Sequence, residues 1–495
     1  MKIINIKLKL SLWGLSLLAC SLNTATSFAQ QTKQPNILMI AVDDLNHWVG
    51  HLGRNSQVKT PNIDKLAAKG LSFHRAYSPS AICNATRSAM MTGLRPNTSG
   101  VYKNGRDWRS VVGPNKSLPA FFKKNGYSVM GAGKIFHNDR VIYPQDWHYY
   151  LTSNNILERY RLSADEQAKA DQIKNNFKTD KYKVGKLSIS QIAAGDDTLW
   201  DYHVARWAAD QVSIKHEKPF FIAAGIFRPH LPWHVPKAYF DMYPLDEIEL
   251  PPYLKDDLED LAKTPTNTEE HDMILKEKSW RKAIQGYLAS ITYADTQVGR
   301  ILDALEQSPN KDNTIVVLWG DHGWHLGEKH RWRKFELWEE STRTPYVWYV
   351  PGVTKPNSKT DTPVDLQSLW PTLAELTNTK APDFVEGTSV LPLLKNPNMR
   401  WTVPALTTQG YKNHAVRLGP YRYIQYRNGG EEFYDHTTDP YEWYNKANTE
   451  EYAKAQVILK SALPKLNREW ESAAKLYGGQ AKYNKLKPSK MVTDY

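Results

Sequence analysis

Short apolar runs of strand length punctuate the chain at 36–42 (NILMIAV), 219–226 (PFFIAAGI) and 314–319 (TIVVLW). Runs that are apolar at every position, not at alternate ones, predict strands buried on both faces, as in a parallel sheet covered by helices. Weaker strand patterns fall at 127–131 and 345–350. Between them lie helical stretches: 61–69, opened by Pro61 and Asp64 and closed by Gly70, then 118–125, 197–212 and 364–376. In 281–307, Ile284, Tyr287, Leu288, Ile291, Ala294, Val298, Ile301, Leu302 and Leu305 recur at helical spacing, which predicts a long amphipathic helix packed on the sheet. Residues 96–102 read as loop, and 154–196 and 251–279 as polar insertions. From about residue 398 the pattern changes to short alternating stretches, 404–408, 414–417, 421–427 and 432–434, with Asn428-Gly429-Gly430 as a turn and a helix over 450–474. The prediction is a large α/β domain over 30–397, with helices on a mixed sheet, followed by a smaller α+β unit of antiparallel strands over 398–495.

Polar residues follow the buried strands at once. Asp43-Asp44 comes after the first and Asp321-His322 after the run at 314–319, and ligand sites in open α/β sheets form at such carboxyl ends. The 127–131 strand delivers Lys134 and His137. His230 stands between Pro229 and Pro232, past the end of 219–226, where the rings restrict the backbone. A helix over 86–92 ending at Gly93 would put Cys83 before or within its first turn, where free N–H groups and the helix dipole favour an anion, with Arg87 four residues on. Each of these residues also has a plain structural reading: a buried thiol, a loop carboxylate, a core histidine, a solvated lysine.

Charge and the amino terminus narrow the setting. Residues 1–29 carry Lys2, Lys7 and Lys9 before an apolar run, and so read as an export leader. Cleavage after Ser27-Phe28-Ala29 is the expectation, with Leu17-Leu18-Ala19-Cys20 as an alternative lipoprotein site; a membrane would be a partner only if Cys20 were lipidated. Either cut leaves Cys83 without a disulfide partner in the chain, which is unusual for an exported protein. The formal charge is +12, and losing three leader lysines leaves +9, so the surface favours polyanions. Export and the absence of long Lys/Arg runs argue against nucleic acid. Sulfated or uronate-rich polysaccharide fits better, and 17 Trp and 27 Tyr could offer flat faces to sugars or simply fill a core.

Cys83-Asn84-Ala85-Thr86-Arg87, followed by Met91-Thr92-Gly93, resembles the maturation signature of the type I sulfatases, in which the cysteine becomes Cα-formylglycine. PNILMIAVDDL, TPNIDKLA, GKIFH, RPHLPW, the run from Asp321 to Lys334 and FYDHTTDP extend the resemblance past residue 35, most closely to the iduronate-2-sulfatase-like members and bacterial polysaccharide sulfatases. The resemblance implies an alkaline-phosphatase-like fold and hydrolysis of sulfate esters. It implies that Asp43, Asp44, Asp321, His322 and the matured Cys83 hold Ca²⁺, with Mg²⁺ as the other candidate. It further implies that Arg87 steadies the modified residue, Lys134 and Lys334 neutralise sulfate, His137 takes the proton that collapses the hemiester, and His230 protonates the leaving oxygen. His325, His414 and Arg417 are candidates for sugar contacts. Ala85 departs from the proline commonest in the signature, and His322 from an asparagine common elsewhere in the family. The expected partners are a sulfated oligo- or polysaccharide, such as ulvan, carrageenan or a glycosaminoglycan, and a formylglycine-generating enzyme. Two other readings compete: a phosphomonoester, phosphodiester or phosphonate hydrolase of the same fold, and a non-catalytic glycan-binding protein.

Overall fold

The structure is a computed structural model that describes residues 34–138, 141–152, 182–184, 187–263 and 268–469; the expected leader, with Cys20, lies outside them. An eight-stranded sheet organises the chain. Its strands in chain order are β1 (Asn36–Val42), β2 (Leu71–Phe73), β3 (Ser128–Gly133), β4 (Tyr149–Leu151), β5 (Phe220–Ile226), β6 (Thr314–Gly320), β7 (Tyr346–Tyr349) and β8 (Ser358–Thr360). Across the sheet they run β8-β2-β7-β6-β1-β5-β3-β4. Only β7 opposes the others, so the carboxyl ends of β1, β3, β5 and β6 share one edge.

The apolar runs form the centre because β1 has a core on each face. Leu38, Ile40 and Val42 pack under α1 (Pro61–Lys69), α3 (Trp200–Ser213) and α4 (Trp280–Glu306). Ile37, Met39 and Ala41 face Met90 and Met91 of α2 (Cys83–Thr92), together with Phe121 and Phe122. Every residue of β1 is buried, as a strand between two helical layers must be. No helix among the described residues is long and apolar enough to cross a membrane.

Several boundaries differ from the sequence reading for local reasons. The strand expected over 127–131 runs on to Gly133. There Gly133 (φ +73°) and Gly225 meet so closely that a Cβ on Gly225 would lie 2.3 Å from the Lys134 carbonyl carbon. Residues 96–102 begin as a short helix, Pro96–Ser99, with proline at its first position. The insertion at 251–279 contains the helix Glu269–Lys276. Residues 364–376 open with two strand residues, Val364–Asp365, before the helix Leu369–Leu376. The last helix among the described residues, α5 (Ala453–Ser461), ends ahead of Pro464, which cannot donate to the helical ladder; residues 470–474 of the expected helix lie outside the described residues.

A second sheet of β9 (Ala405–Thr408), β10 (His414–Leu418), β11 (Tyr421–Gln425) and β12 (Glu431–Asp435) is an antiparallel meander. It belongs to the same compact unit as the large sheet. Thr408 donates its N–H to the Pro79 carbonyl at 2.9 Å, and the Thr407 hydroxyl donates to Ser78, so β9 lies against the segment that leads into α2. Arg422 of β11 is wholly buried and paired with both Glu339 and Glu442, while its Nη1 donates to the Leu337 carbonyl at 2.8 Å. Removing one member of such a buried set strands the others. Arg422→Ala is expected to lower the unfolding free energy by about 3–5 kcal/mol, measured by urea denaturation against the parent protein.

Candidate active site

The register of the parallel strands delivers the site. Val42 stands beside Gly320 on one side and Ile226 on the other, so Asp43, Asp321 and Phe227 leave the sheet abreast. Gly133 stands beside Gly225, which brings Lys134 into the same row. Cys83 is the first residue of α2; its amino-terminal neighbour Ile82 offers no side-chain cap, and Gly93 (φ +73°) ends the helix. The thiol therefore lies at the positive end of a helix that is buried along its whole length.

Arg87 ties these elements together. Its Nε donates to Asp321 at 2.9 Å, Nη2 to Asp43 at 3.0 Å, and Nη1 to the carbonyls of Lys134 and Ile135. Lys134 pairs with the other oxygen of Asp43, and Lys334 with Asp44. Lys334 Nζ is also 3.0 Å from Cys83 Sγ, and His322 Nε2 is 3.3 Å from the same sulfur. Burial alone would raise the Asp43 pKa, but Lys134, Arg87 and His230 outweigh it and hold that carboxyl well below its usual range. Asp44 is likewise lowered, against burial, by His230 and Lys334.

The residues fit a divalent cation. Oxygen, nitrogen and sulfur atoms from Asp44, Cys83, Asp321 and His322 lie within 4.8 Å of one another, as do those from Asp43, Asp44, Cys83 and His230. Asp44 Oδ2 is buried without a hydrogen-bond partner. His322 Nδ1 lies 3.0 Å from the Gly323 carbonyl; a proton held there leaves the Nε2 lone pair toward the carboxylates. Carboxylate oxygens predominate, which suits a hard ion.

Two further histidines border the cluster. His230 Nε2 is 3.8 Å from Asp44 Oδ2, its Nδ1 faces the Leu231 carbonyl at 2.6 Å, and its side chain keeps about a quarter of its surface exposed. His137 is half-buried; burial first, then the positive charge of Lys134, push its pKa down to about 4, so the ring is neutral near pH 7 and can accept a proton. Three residues expected at a sugar sit elsewhere in the packing. His325 is fully buried, facing the Glu328 carbonyl and the Trp338 ring, and its pKa falls to about 3. His414 is enclosed between Thr408 and Asn467. Arg417 is buried against Tyr77, donating to its hydroxyl at 2.9 Å and to the Pro420 carbonyl. All three are buried, although His325 Nε2 and Arg417 Nη2 have no hydrogen-bond partner.

Other residues join the site that the pattern of the chain conceals. Tyr287 of α4 donates to the Asp44 carbonyl at 2.7 Å and accepts from the Asn46 N–H at 3.0 Å. It thereby fixes a non-glycine residue at φ +56°. In the sequence Tyr287 is one more member of an apolar stripe, distinguished only by its hydroxyl. Phe335, at φ +86° and 39% exposed, donates its N–H to the Ala81 carbonyl two residues before Cys83. A groove of about 390 Å³ between α1 and α4 is lined by Lys311, Asp312 and Tyr349 near the amino end of β6, away from all of these residues. Tyr287→Phe is expected to weaken divalent-ion affinity about tenfold with little change in secondary structure, measured by calcium titration against thermal stability and by circular dichroism.

Comparison with known proteins agrees with this geometry. Residues 35–379 match the family model described as sulfatase, and 320–469 match the one described as N-sulphoglucosamine sulphohydrolase, C-terminal. A sulfatase of Formosa agariphila is 38% identical over 479 residues, covering 93% of this chain and 92% of its own. Iduronate 2-sulfatase of Mus musculus is 32% identical over 413 residues, covering 73% and 72%. A protein solved with its substrate D-glucosamine-2-N,6-O-disulfate shares the fold at a TM-score of 0.66 and 19% identity, covering 91% of this chain and all of that one. With one family model spanning most of the chain and a relative matched nearly end to end, the protein belongs to the sulfatase family and is a sulfuric ester hydrolase.

Proposed function

We propose that this sulfatase releases sulfate from a sulfated carbohydrate, with Cys83, oxidised to formylglycine and hydrated, as the nucleophile. The observation that carries the reading is the place of Cys83 Sγ: at the start of α2, between Lys334 Nζ and His322 Nε2, above the carboxylates of Asp44 and Asp321. A hydrate oxygen in that position has cations on hand to balance its charge and that of sulfate. The substrate class is supported by the sugar-directed names of the iduronate relative and of the disulfated glucosamine complex, and by the excess of positive charge. Residues 1–29 fit an exported protein acting on extracytoplasmic polysaccharide.

Asp43, Asp44, Asp321 and His322 would hold Ca²⁺, or Mg²⁺, beside Cys83. When bound, the ion supplies positive charge that favours a deprotonated nucleophile. One hydroxyl of the hydrate, having given its proton to water, attacks sulfur, and the bond from sulfur to the sugar oxygen breaks. Lys134 and Lys334 balance the charge on the sulfuryl oxygens. His230, its Nδ1 turned to the Leu231 carbonyl, gives a proton from Nε2 to the leaving oxygen. His137 then takes the proton of the second hydroxyl, the carbon–oxygen bond to sulfate breaks, and the aldehyde that remains is hydrated again. Arg87 keeps α2 and the carboxylates in register throughout.

Mass spectrometry of the peptide spanning Cys83, from enzyme co-expressed with a formylglycine-generating enzyme, should show a loss of about 18 Da, with sulfate release proportional to the converted fraction. A thiol that stays unmodified while sulfate is still released would overturn the mechanism. Chelation should abolish turnover and calcium restore it, and aryl sulfate should be hydrolysed faster than aryl phosphate. The reverse preference would favour phosphoryl transfer. His230→Ala should cost roughly 10²–10⁴ in kcat on sugar sulfates, and less on an aryl sulfate whose leaving group needs no proton.

A further inference from the structure

Two surface loops are fastened to the residues on either side of Cys83. Asn84 donates its side-chain amide to the carbonyls of Lys103 (2.9 Å) and Arg106 (2.6 Å), and its N–H to Asn104 Oδ1 (3.1 Å). On the other side, the Ser80 hydroxyl donates to Gln409 Oε1 at 3.1 Å, which anchors the β9–β10 turn. Asn413 closes that turn with hydrogen bonds to Gln409 and to the Arg427 N–H at 2.9 Å. The loops meet where the Tyr102 ring packs edge-on against Tyr411, centroids 6.3 Å apart. Lys412 and Arg427 hold their charges 5.2 and 5.3 Å from the Tyr411 ring centroid. Lys103, Lys412 and Arg427 are all exposed.

Exposed cations are ordinarily just solvated. Here the Lys103 carbonyl is held by Asn84, and the turn that carries Lys412 and binds the Arg427 N–H is anchored through Gln409 to Ser80. Lys412 also sits at φ +62°, where glycine or asparagine would be less strained. A lysine kept in that conformation by a closed turn points to a use for its side chain.

We propose that Lys103, Lys412 and Arg427 form an anion-binding rim that receives the carboxylate or second sulfate of a sugar next to the one being desulfated. The inference rests on the glycan-sulfatase reading above and deepens it: the preferred substrate is a polyanionic oligosaccharide, not an isolated sulfate ester. The rim contributes to the binding of the neighbouring sugar and does not touch the reacting sulfur.

The test measures turnover of 4-nitrophenyl sulfate by matured enzyme while ulvan, carrageenan and heparin oligosaccharides compete. The variant combines Lys103→Ala, Arg427→Gln and Lys412→Asn, the last chosen because asparagine tolerates the positive φ. The expected result is that the strongest competitor loses about tenfold in inhibition, and much of its salt dependence, while kcat/KM for 4-nitrophenyl sulfate stays within about twofold. Carboxyl-reduced and selectively desulfated competitors then identify which anion the rim holds. Inhibition unchanged in the variant, an equal loss of aryl sulfate turnover, or no inhibition of the parent by any of the oligosaccharides would overturn the rim. If matured parent enzyme fails to turn over 4-nitrophenyl sulfate, it is the sulfatase mechanism that fails. Calorimetric binding of the same oligosaccharides to parent and variant then decides the rim separately.

Discussion

Burial of charge at the carboxyl edge of the large sheet is the constraint that the rest of the molecule serves. Asp43, Asp44 and Asp321 have no solvent exposure, and neither does Arg87. Ionised groups cannot be removed from water in this way unless each is met by an opposite charge or a directed hydrogen bond. Arg87 meets two carboxylates and two carbonyls with one planar group, a task that suits a guanidinium fork and not an ammonium. The Gly133–Gly225 contact and the left-handed turn at Asp44 are the backbone adjustments that let those partners arrive.

The site draws on both sides of the sheet. Cys83 and Arg87 come from the layer that packs on Ile37, Met39 and Ala41, whereas Tyr287 comes from the helix on the opposite face. The second sheet adds a boundary. Its edge strand β9 lies along Ser78 and Pro79, and its arginines fill a buried ion network reaching Tyr77, Glu339 and Glu442. Mutations in that network would therefore act on the approach to Cys83 as well as on stability.

The central strands and the long helix were legible because nothing competes with their signals: an unbroken apolar run flanked by acids, or a stripe sustained over many turns. The same rule explains the residues that converged. Asp43, Asp44, Asp321, His322 and Lys134 follow strand ends, and parallel strands share an edge. What sequence could not reveal depends on packing between distant segments. Arg417 and His414 are polar residues on β10 that resemble surface ligands until Tyr77, Thr408 and Asn467 enclose them. Tyr287 has the opposite disguise, a core residue by periodicity whose hydroxyl has a polar task. The early end of α5 at Ser461 shows a proline overriding a continuing helical pattern.

The order of strands bears on how the chain reaches this state. β1 is synthesised first, yet its neighbours in the sheet are β5 and β6, so Ile37 waits for Phe221 and Asn36 for Thr314. Neither edge of a strand with apolar side chains on both faces can pair until Ile226 has emerged, and the β6 edge stays open until Gly320. Such non-local pairing slows folding and leaves sticky intermediates exposed. The strand that carries Asp43 and Asp44 is thus also the segment most in need of protection on a nascent chain.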